Sequence, residues 1–485
     1  MVNHTSPQAG PSPLAPDWLD YPEDSNALVP QLWAAGVARN DDGEIAVQGI
    51  GVSQLAREYG TPLLVLDEDD FRSRARAFRE AFTEAFQDLC GGVDVYYAGK
   101  SFLCTAAARW ISEEGLCLDT ASGGELAMAL RAGVDPARIG LHGNNKSDAE
   151  LRRALSAGIG RIVVDSFDEL ERLAELAAEA GTTAPVMLRL TPGVHAHTHE
   201  YIATAHEDQK FGLSMAGPGA GVSGSPAAAA VAHALAAESI ELLGLHCHIG
   251  SQIFEPEGFG LAAEKLLGFL AEIKQEYGVE LAELDLGGGH GIAYTAADAP
   301  RTPADIAQTL SAVVRAAVVK HGLSCPRISI EPGRAISGPA GFTLYEAGVR
   351  KTVTVDAPDG GSATHPRRYV SVDGGMSDNP RPVLYEADYS VALASRTSDE
   401  PAVLSRVVGK HCESGDIVVQ NAYLPEDVHR GDLLAVPATG AYCHSLSSNY
   451  NQLTRPAVVA IKDGTSRVII RRETEDDLFA RETGL

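Results

Sequence analysis

Lysine is scarce in this chain, with nine against thirty arginines in 485 residues. Basic residues of both kinds are outnumbered by acidic ones, 39 to 65, giving a formal net charge of −26. That balance leaves no basic footprint, so neither nucleic acid nor an anionic membrane surface is expected as a partner. No run of about twenty apolar residues occurs, so no membrane-spanning helix is expected. The opening residues, MVNHTSPQAGPSPLAP, have neither a basic start nor an apolar core, and no signal peptide is expected. Cysteine is sparse and forms no C-x-x-C pair. The seven (Cys90, Cys104, Cys117, Cys247, Cys325, Cys412, Cys443) are odd in number and scattered, which fits a reduced, cytoplasmic protein.

What is present is ordinary globular material. Apolar residues make up 45% and charged residues 21%, over a length sufficient for two domains and a large core. Residues 1–29 are rich in Pro, Ser and Ala and are expected to be a tail, disordered at its start. Beyond about residue 90 a grammar repeats: a short apolar run, a polar or glycine-rich tip, then an amphipathic stretch. Eight such runs occur: VDVYYAGK, LCLDTAS, IGLHGNN, IVVDS, VMLRLTPG, LLGLHCHIGS, LDLGGGHG and ISIEPGR. Helical periods between them include 105–114, 124–132, 148–157 and 167–180. Strands alternating with helices imply parallel βαβ units. Eight of them predict a closed (β/α)8 barrel, with an open doubly wound sheet as the alternative. After about residue 340 the segments become short and β-rich between Gly, Pro and Asp turns, as in Tyr369–Val372, Asp416–Val419 and Arg467–Ile470. They predict an antiparallel β-sandwich or barrel domain. Strand-like pieces at 44–47 and 62–66 could join either domain. Residues 193–223 are the longest irregular stretch.

In such a barrel the catalytic groups stand at the C-terminal ends of the strands. The first tip carries Lys100, at the end of an apolar run where an unpaired ammonium would be costly to bury. The second carries Asp119 and then Glu125. The sixth carries His246, His248 and Ser251, the seventh Gly287, Gly288 and Gly289, and the eighth Glu331 and Arg334. Each alone has a plain structural explanation: a paired cation, a satisfied core imidazole, a tight turn, a local ion pair. Together they place a phosphate cradle, a lysine, a flat imidazole and a carboxylate around one mouth, since bare glycine N–H groups can approach an anion closely. A pyridoxal phosphate (PLP) site needs those parts. A lysine forms the Schiff base, a carboxylate keeps the pyridine nitrogen protonated, and a flat group packs on the ring. The alternative is a metal site, because His246-x-His248 and His195-x-His197-x-His199 each put imidazoles on one side of an extended chain. Metal-dependent barrel hydrolases carry H-x-H on the first strand and lysine later; here that order is reversed.

Several stretches carry a resemblance. They are Tyr97–Lys100, His142–Lys146, His246–Gln252, Gly287–Gly289, Glu331–Arg334, Arg381–Tyr385, Cys412–Asp416, Gly440–Tyr442 followed by Ser447–Asn451, and Glu200–Gly212. From about residue 30 onward the chain resembles the diaminopimelate decarboxylases, within the alanine racemase-like (fold type III) group of PLP enzymes. The resemblance implies decarboxylation of meso-2,6-diaminopimelate to L-lysine with pyridoxal 5'-phosphate as cofactor. It also implies roles. Lys100 would carry PLP, His248 would stack on the ring, and Glu331 would pair with the pyridinium nitrogen. Ser251, Gly288, Gly289 and the backbone from Pro332 and Gly333 to Arg334 would surround the phosphate. Tyr442 would touch cofactor and substrate. Arg334, Arg381 and Tyr385 would bind substrate carboxylate, Glu413 would bind the far amino group, and Cys412 would donate a proton. Asp119 and Glu125 match acids that stand behind the lysine.

In this family the last of these residues, such as Glu413 and Cys412, reach the neighbouring subunit's site, so a homodimer with shared active sites is implied. So is a division into residues 30–70 as the N-terminal segment of the β domain, 71–340 as the barrel, and 341–485 as the C-terminal β domain. No metal is expected. One position departs from the family: His290 follows the three glycines where an aliphatic residue is usual, and it would either add a donor near the phosphate or face solvent. Two other readings remain. One is a PLP decarboxylase of ornithine, arginine or a carboxy-polyamine, although ornithine and arginine would leave Arg381 without a distal carboxylate. The other is a non-catalytic PLP-binding protein, which could dispense with Cys412 and the β domain.

Overall fold

The computed structural model describes residues 10–90, 92–193, 209–217, 223–358 and 362–484. The chain divides into two compact units. One comprises Arg72–Gly291 and Pro300–Ala335; the other comprises Met1–Phe71, Ile292–Ala299 and Ile336–Leu485.

The first unit is a closed parallel barrel. Its strands are β1 (Val93–Ala98), β2 (Cys117–Thr120), β3 (Ile139–Leu141), β4 (Arg161–Val164), β5 (Ala184–Thr191), β6 (Ile240–His246), β7 (Glu283–Asp285) and β8 (Arg327–Ile330). Each pairs in parallel with the next, and β8 closes the ring on β1 through Ile328 beside Val93. Every one of the eight apolar runs is one of these strands, and the open sheet is set aside. The runs are nearly continuous in Val, Ile and Leu because a parallel strand is covered on both faces. The helices between them start where a hydroxyl can accept from the first turn. Ser122, Ser147, Ser166, Ser225 and Thr302 each take a backbone N–H three residues on. Gly133, Gly158 and Gly322 end helices in the left-handed conformation that glycine adopts without strain.

The second unit is a mixed sheet. Leu63–Asp67, every residue of it buried, runs antiparallel to Gly341–Asp356 and parallel to Ala457–Lys462. Thr364–Val372, Ala402–Val408, Ile417–Pro425 and Thr465–Ile470 extend the sheet to either side. Most pairings are antiparallel, as the sequence leads one to expect. The exceptions are the two parallel pairs, 63–67 with 457–462 and 364–372 with 402–408. Leu32, Trp33, Ile45, Val47, Leu63 and Val65 share one core with Phe342, Leu344, Val459 and Ile461, so the N-terminal strand pieces belong to this unit. Leu14, Ala15, Leu19 and Tyr21 pack on Ala402, Leu404 and Tyr423, so this part of the expected tail is held. Residues 1–9 lie outside the described residues.

One irregularity positions the site. Strand β6 slips register between Leu242 and Gly244 as it passes β5. A Cβ at Gly244 would stand 2.0 Å from the Glu283 carbonyl of β7. Glycine therefore lets β6 close on β7 just before His246. Gly244→Ala is expected to cost about 2 kcal/mol or more of stability by overpacking and to weaken PLP retention. Denaturant unfolding and cofactor absorbance of the variant check both.

Candidate active site

Lys100 stands in the short turn Gly99–Ser101 directly after β1. The turn is fixed from within: Tyr97 OH donates to the Phe102 carbonyl at 2.7 Å, and the Ser101 hydroxyl donates to the Ala98 carbonyl at 2.9 Å. The lysine side chain is exposed. The burial cost expected from the apolar run before it is therefore not incurred, because the chain leaves the strand one residue earlier. Asp119, at the tip of β2, and Glu125 both feel the Lys100 charge. Burial is the larger influence on each and pushes both carboxyls up, Asp119 to about 7.

Glu331, after β8, is the electrostatic centre. It is buried, and its Oε1 lies 2.9 Å from His246 Nε2 and 3.5 Å from His142 Nε2. Burial opposes the charged form, but the imidazoles outweigh it, with His246 in the lead, and hold the carboxyl below its ordinary range. Burial holds His142 well below its own ordinary range. Asp119 Oδ1 is 3.0 Å from His142 Nε2 and 3.6 Å from the Arg161 guanidinium. Arg161 pairs with Asp285 at 2.5 Å, lies over the Tyr96 ring at 3.5 Å, and is fully buried. His142, His246 and Glu331 bring their ligand atoms within 4.8 Å of one another, a set that could hold a cation. The H-x-H pair of the metal reading is not part of it, since His248 is not in that set. The HAHTH run (His195, His197, His199) lies outside the described residues.

His248 faces the seventh tip. Its Nδ1 accepts from the Gly288 N–H at 3.2 Å. Burial first, and then the nearby Lys100 charge, holds the ring well below its usual pKa. A neutral ring accepting at Nδ1 carries its proton on Nε2. The Gly287–Gly289 tip admits no side chain. Cβ atoms at these positions would fall 2.3 Å from the Cys247 carbonyl, 2.1 Å from that of Glu331 and 2.3 Å from that of Gly250. Gly289 also has φ of +112°, which a side chain would strain. Arg334 donates to the Ser251 hydroxyl at 2.8 Å. Pro332 and Gly333 pack back on the first tip, where Ala98 N–H donates to the Pro332 carbonyl at 3.3 Å. Lys100, His248, Ser251, Gly288, Gly289, Glu331, Pro332, Gly333 and Arg334 thus share the C-terminal mouth of the barrel.

The other expected residues belong to the second unit. Arg381 opens a short helix, Arg381–Tyr385, and is 6% exposed. Its guanidinium lies over Tyr294 at 4.4 Å and donates to Tyr389 OH at 2.5 Å. Tyr385 and Tyr442 are half-buried, and Tyr442 has a left-handed φ of +58°. Cys412 is exposed, with its N–H held by Asn451 Oδ1 at 2.9 Å. Glu413 is exposed and accepts from the Ser414 hydroxyl and the Gly415 N–H, each at 3.3 Å.

His142 and Arg161 were given no role from the sequence, and His246 only that of a possible metal ligand, yet all three shape Glu331's surroundings. Their signal was available: polar residues on or just after barrel strands whose other positions are apolar. His290 answers to neither expectation. It is buried between the Phe78 and Phe259 rings, centroids 5.5 and 5.1 Å away, and neither ring nitrogen has a hydrogen-bond partner.

The matched family model is that of the pyridoxal-dependent decarboxylase, pyridoxal binding domain, over residues 69–338. The chain is 54% identical to the diaminopimelate decarboxylase of Mycobacterium tuberculosis, over 94% of this chain and 98% of that one. It is 44% identical to that of Bacillus subtilis, over 92% and 97%. Among solved structures, the diaminopimelate decarboxylase from M. jannaschii in complex with L-lysine superposes with a TM-score of 0.82 at 31% identity, covering 93% of this chain and 98% of that one. The fold and the mouth are those of a PLP-dependent decarboxylase. The chain belongs to the diaminopimelate decarboxylase family. Its donor set fits that cofactor: an exposed amine, a buried carboxylate held ionised, a neutral imidazole and a side-chain-free glycine tip.

Burial sets a pH dependence at His290. Its folded pKa is pushed down to about 4, from 6.5. Between those values the unfolded chain binds the extra proton, so stability falls as pH drops from 6.5 towards 4 and levels off below. The loss amounts to about 3 kcal/mol. His290→Leu is expected to flatten this part of the profile, as measured by denaturant midpoints from pH 4 to 7.

Proposed function

We propose that this chain decarboxylates meso-2,6-diaminopimelate to L-lysine and CO2 with PLP, the last step of making lysine by that route. The observation that carries the reading is an ionised carboxylate, Glu331, one strand away from an exposed amine, Lys100, above a glycine tip. PLP, when bound, supplies an electron sink for the carbon that loses CO2. Lys100 would anchor it covalently. Glu331, with His246 behind it, would hold a proton on the pyridine nitrogen. Neutral His248 offers its ring face, and the Gly287–Gly289 tip with Ser251 and Arg334 would take the phosphate. Cys412 is assigned the return of a proton to the reacting carbon. Arg381 and Tyr385 are assigned the distal carboxylate, Glu413 the distal ammonium, and Tyr442 both substrate and cofactor. A substrate whose far end is itself an amino acid needs both signs of charge there.

A homodimer with shared sites accompanies this proposal. In a single chain Cys412 and Glu413 are exposed, as are the apolar Val383, Leu384 and Leu446 and the ring of Tyr450. Among the described residues no helix is long and apolar enough to cross a membrane. Seven free thiols accord with a cytoplasmic setting.

Purified protein is expected to be yellow, and borohydride to fix the cofactor on Lys100, as peptide mapping reads. A colourless protein that takes up no PLP removes this function. Arg381→Ala is expected to keep the cofactor absorbance while lowering kcat/KM for diaminopimelate by at least about 100-fold, the scale of a lost charge-assisted contact. CO2 release from diaminopimelate isomers, lysine, ornithine and arginine separates the substrate classes. Sharing of sites has its own test. Lys100→Ala and Cys412→Ala, each inactive alone, should recover about a quarter of wild-type activity when co-expressed, since half the dimers then carry one intact site. No recovery would place both residues in one subunit's site.

A further inference from the structure

Two thiols that the reaction does not use meet at the opposite end of the barrel. Cys90 lies three residues before Val93, and Cys325 three residues before Ile328; Val93 and Ile328 are register partners where β1 meets β8. Neighbouring parallel strands run about 4.8 Å apart, and both cysteines lie just before the strands begin, at Val93 and Arg327. The two side chains influence each other: Cys325, and the Ile328 backbone, favour the thiolate form of Cys90, whereas Cys90 and burial push the Cys325 thiol up. Each thiol also donates to a nearby carbonyl, Cys90 to Gly92 at 3.2 Å and Cys325 to Pro326 at 3.4 Å. Both are half-buried, within reach of a small reagent. Cys104, Cys117, Cys247 and Cys443 are buried, and Cys412 is exposed.

We propose that Cys90 and Cys325 form a thiol–disulfide exchange site that closes to an intrachain disulfide across the β1–β8 seam. The Cys90 thiolate attacks a small-molecule disulfide, forming a mixed disulfide and releasing one thiolate. The Cys325 thiolate then attacks the Cys90 sulfur and releases the second. Two protein thiols are oxidised by two electrons, and one disulfide becomes two thiols. Cys325 and Arg327 favour the thiolate at Cys90, whereas burial pushes Cys104, Cys117 and Cys247 the other way. Two thiols fall short of the four ligands of a structural zinc site. The bond would tie together the two strands whose far ends carry Lys100 and Glu331.

The test uses the full-length, PLP-loaded protein carrying Cys412→Ser, so that the exposed thiol does not intrude. It is treated with oxidised glutathione, blocked with N-ethylmaleimide, and digested without reduction. A Cys90–Cys325 cross-linked peptide, lost after dithiothreitol, is expected. Stable glutathione adducts without the cross-link, or two unmodified thiols, would overturn the proposal. Independently, Cys325→Ala should slow iodoacetamide alkylation of Cys90 at pH 7 about tenfold, because the thiolate loses the neighbour that favours it. An unchanged rate would show that the thiols do not act as a pair.

Discussion

A carboxylate buried in a barrel mouth and kept charged governs the arrangement of this site. Left alone, Glu331 would take up a proton or expel the chain around it. His246 at 2.9 Å prevents that. Its influence continues downward through contacts that involve every strand of the barrel. His142, just after β3, stands between Glu331 and Asp119 of β2. Arg161 of β4 reaches Asp119 and Asp285 of β7, lies over Tyr96 of β1, and donates to Met187 of β5 and Ser329 of β8. Ser329 in turn donates to Asp285 at 2.8 Å. In such a network removing one partner leaves another charge uncompensated, which costs more than the pair contributes. The barrel interior is therefore a polar pillar inside an apolar wall.

The pillar separates its acids. Burial raises Asp119 to about 7, while the imidazoles hold Glu331 below the ordinary range. Two carboxyls bridged by one imidazole are thus shifted in opposite directions, and the environment alone distinguishes them. That asymmetry makes Glu331 the more firmly charged of the two. It suits a ring nitrogen that must stay protonated, and the eighth strand places the charge beside the lysine of the first.

Much of this was legible in the sequence. All eight barrel strands are the eight apolar runs, because a buried parallel strand leaves a continuous hydrophobic signature. Four interstrand helices match their expected spans to within a residue at either end. The tips of strands one, six, seven and eight supplied the mouth. Asp119 was seen only as an acid near the lysine, and the rest of the pillar was missed because its residues are single polar positions in short runs: Arg161 opens RIVV, and Asp285 sits inside LDLGGGHG. Their partners are set by barrel closure, which brings together Arg161 and Asp285, 124 residues apart. Parallel pairing of 63–67 with 457–462 is invisible for the same reason: no local period encodes a partner at that separation. The burial of His290 was unreadable because Phe78 and Phe259, which enclose it, come from distant helices.

The two groups of candidate residues differ in how firmly they are held. The barrel group is fixed before any ligand arrives. Gly287–Gly289 is wedged against three carbonyls, and Glu331 and His248 have assigned hydrogen bonds. That is the preorganisation a charge-stabilising site requires, since no reorganisation remains to be done during reaction. Cys412 and Glu413 are exposed, and Glu413 accepts only long bonds from its own loop. Arg381 is the intermediate case, a buried cation clasped by Tyr294 and Tyr389. Fixing Cys412 and Glu413 costs conformational entropy, and in a single chain little offsets it. Under the proposed shared site, burial against a second subunit would order these side chains, just as closure of the barrel orders the pillar.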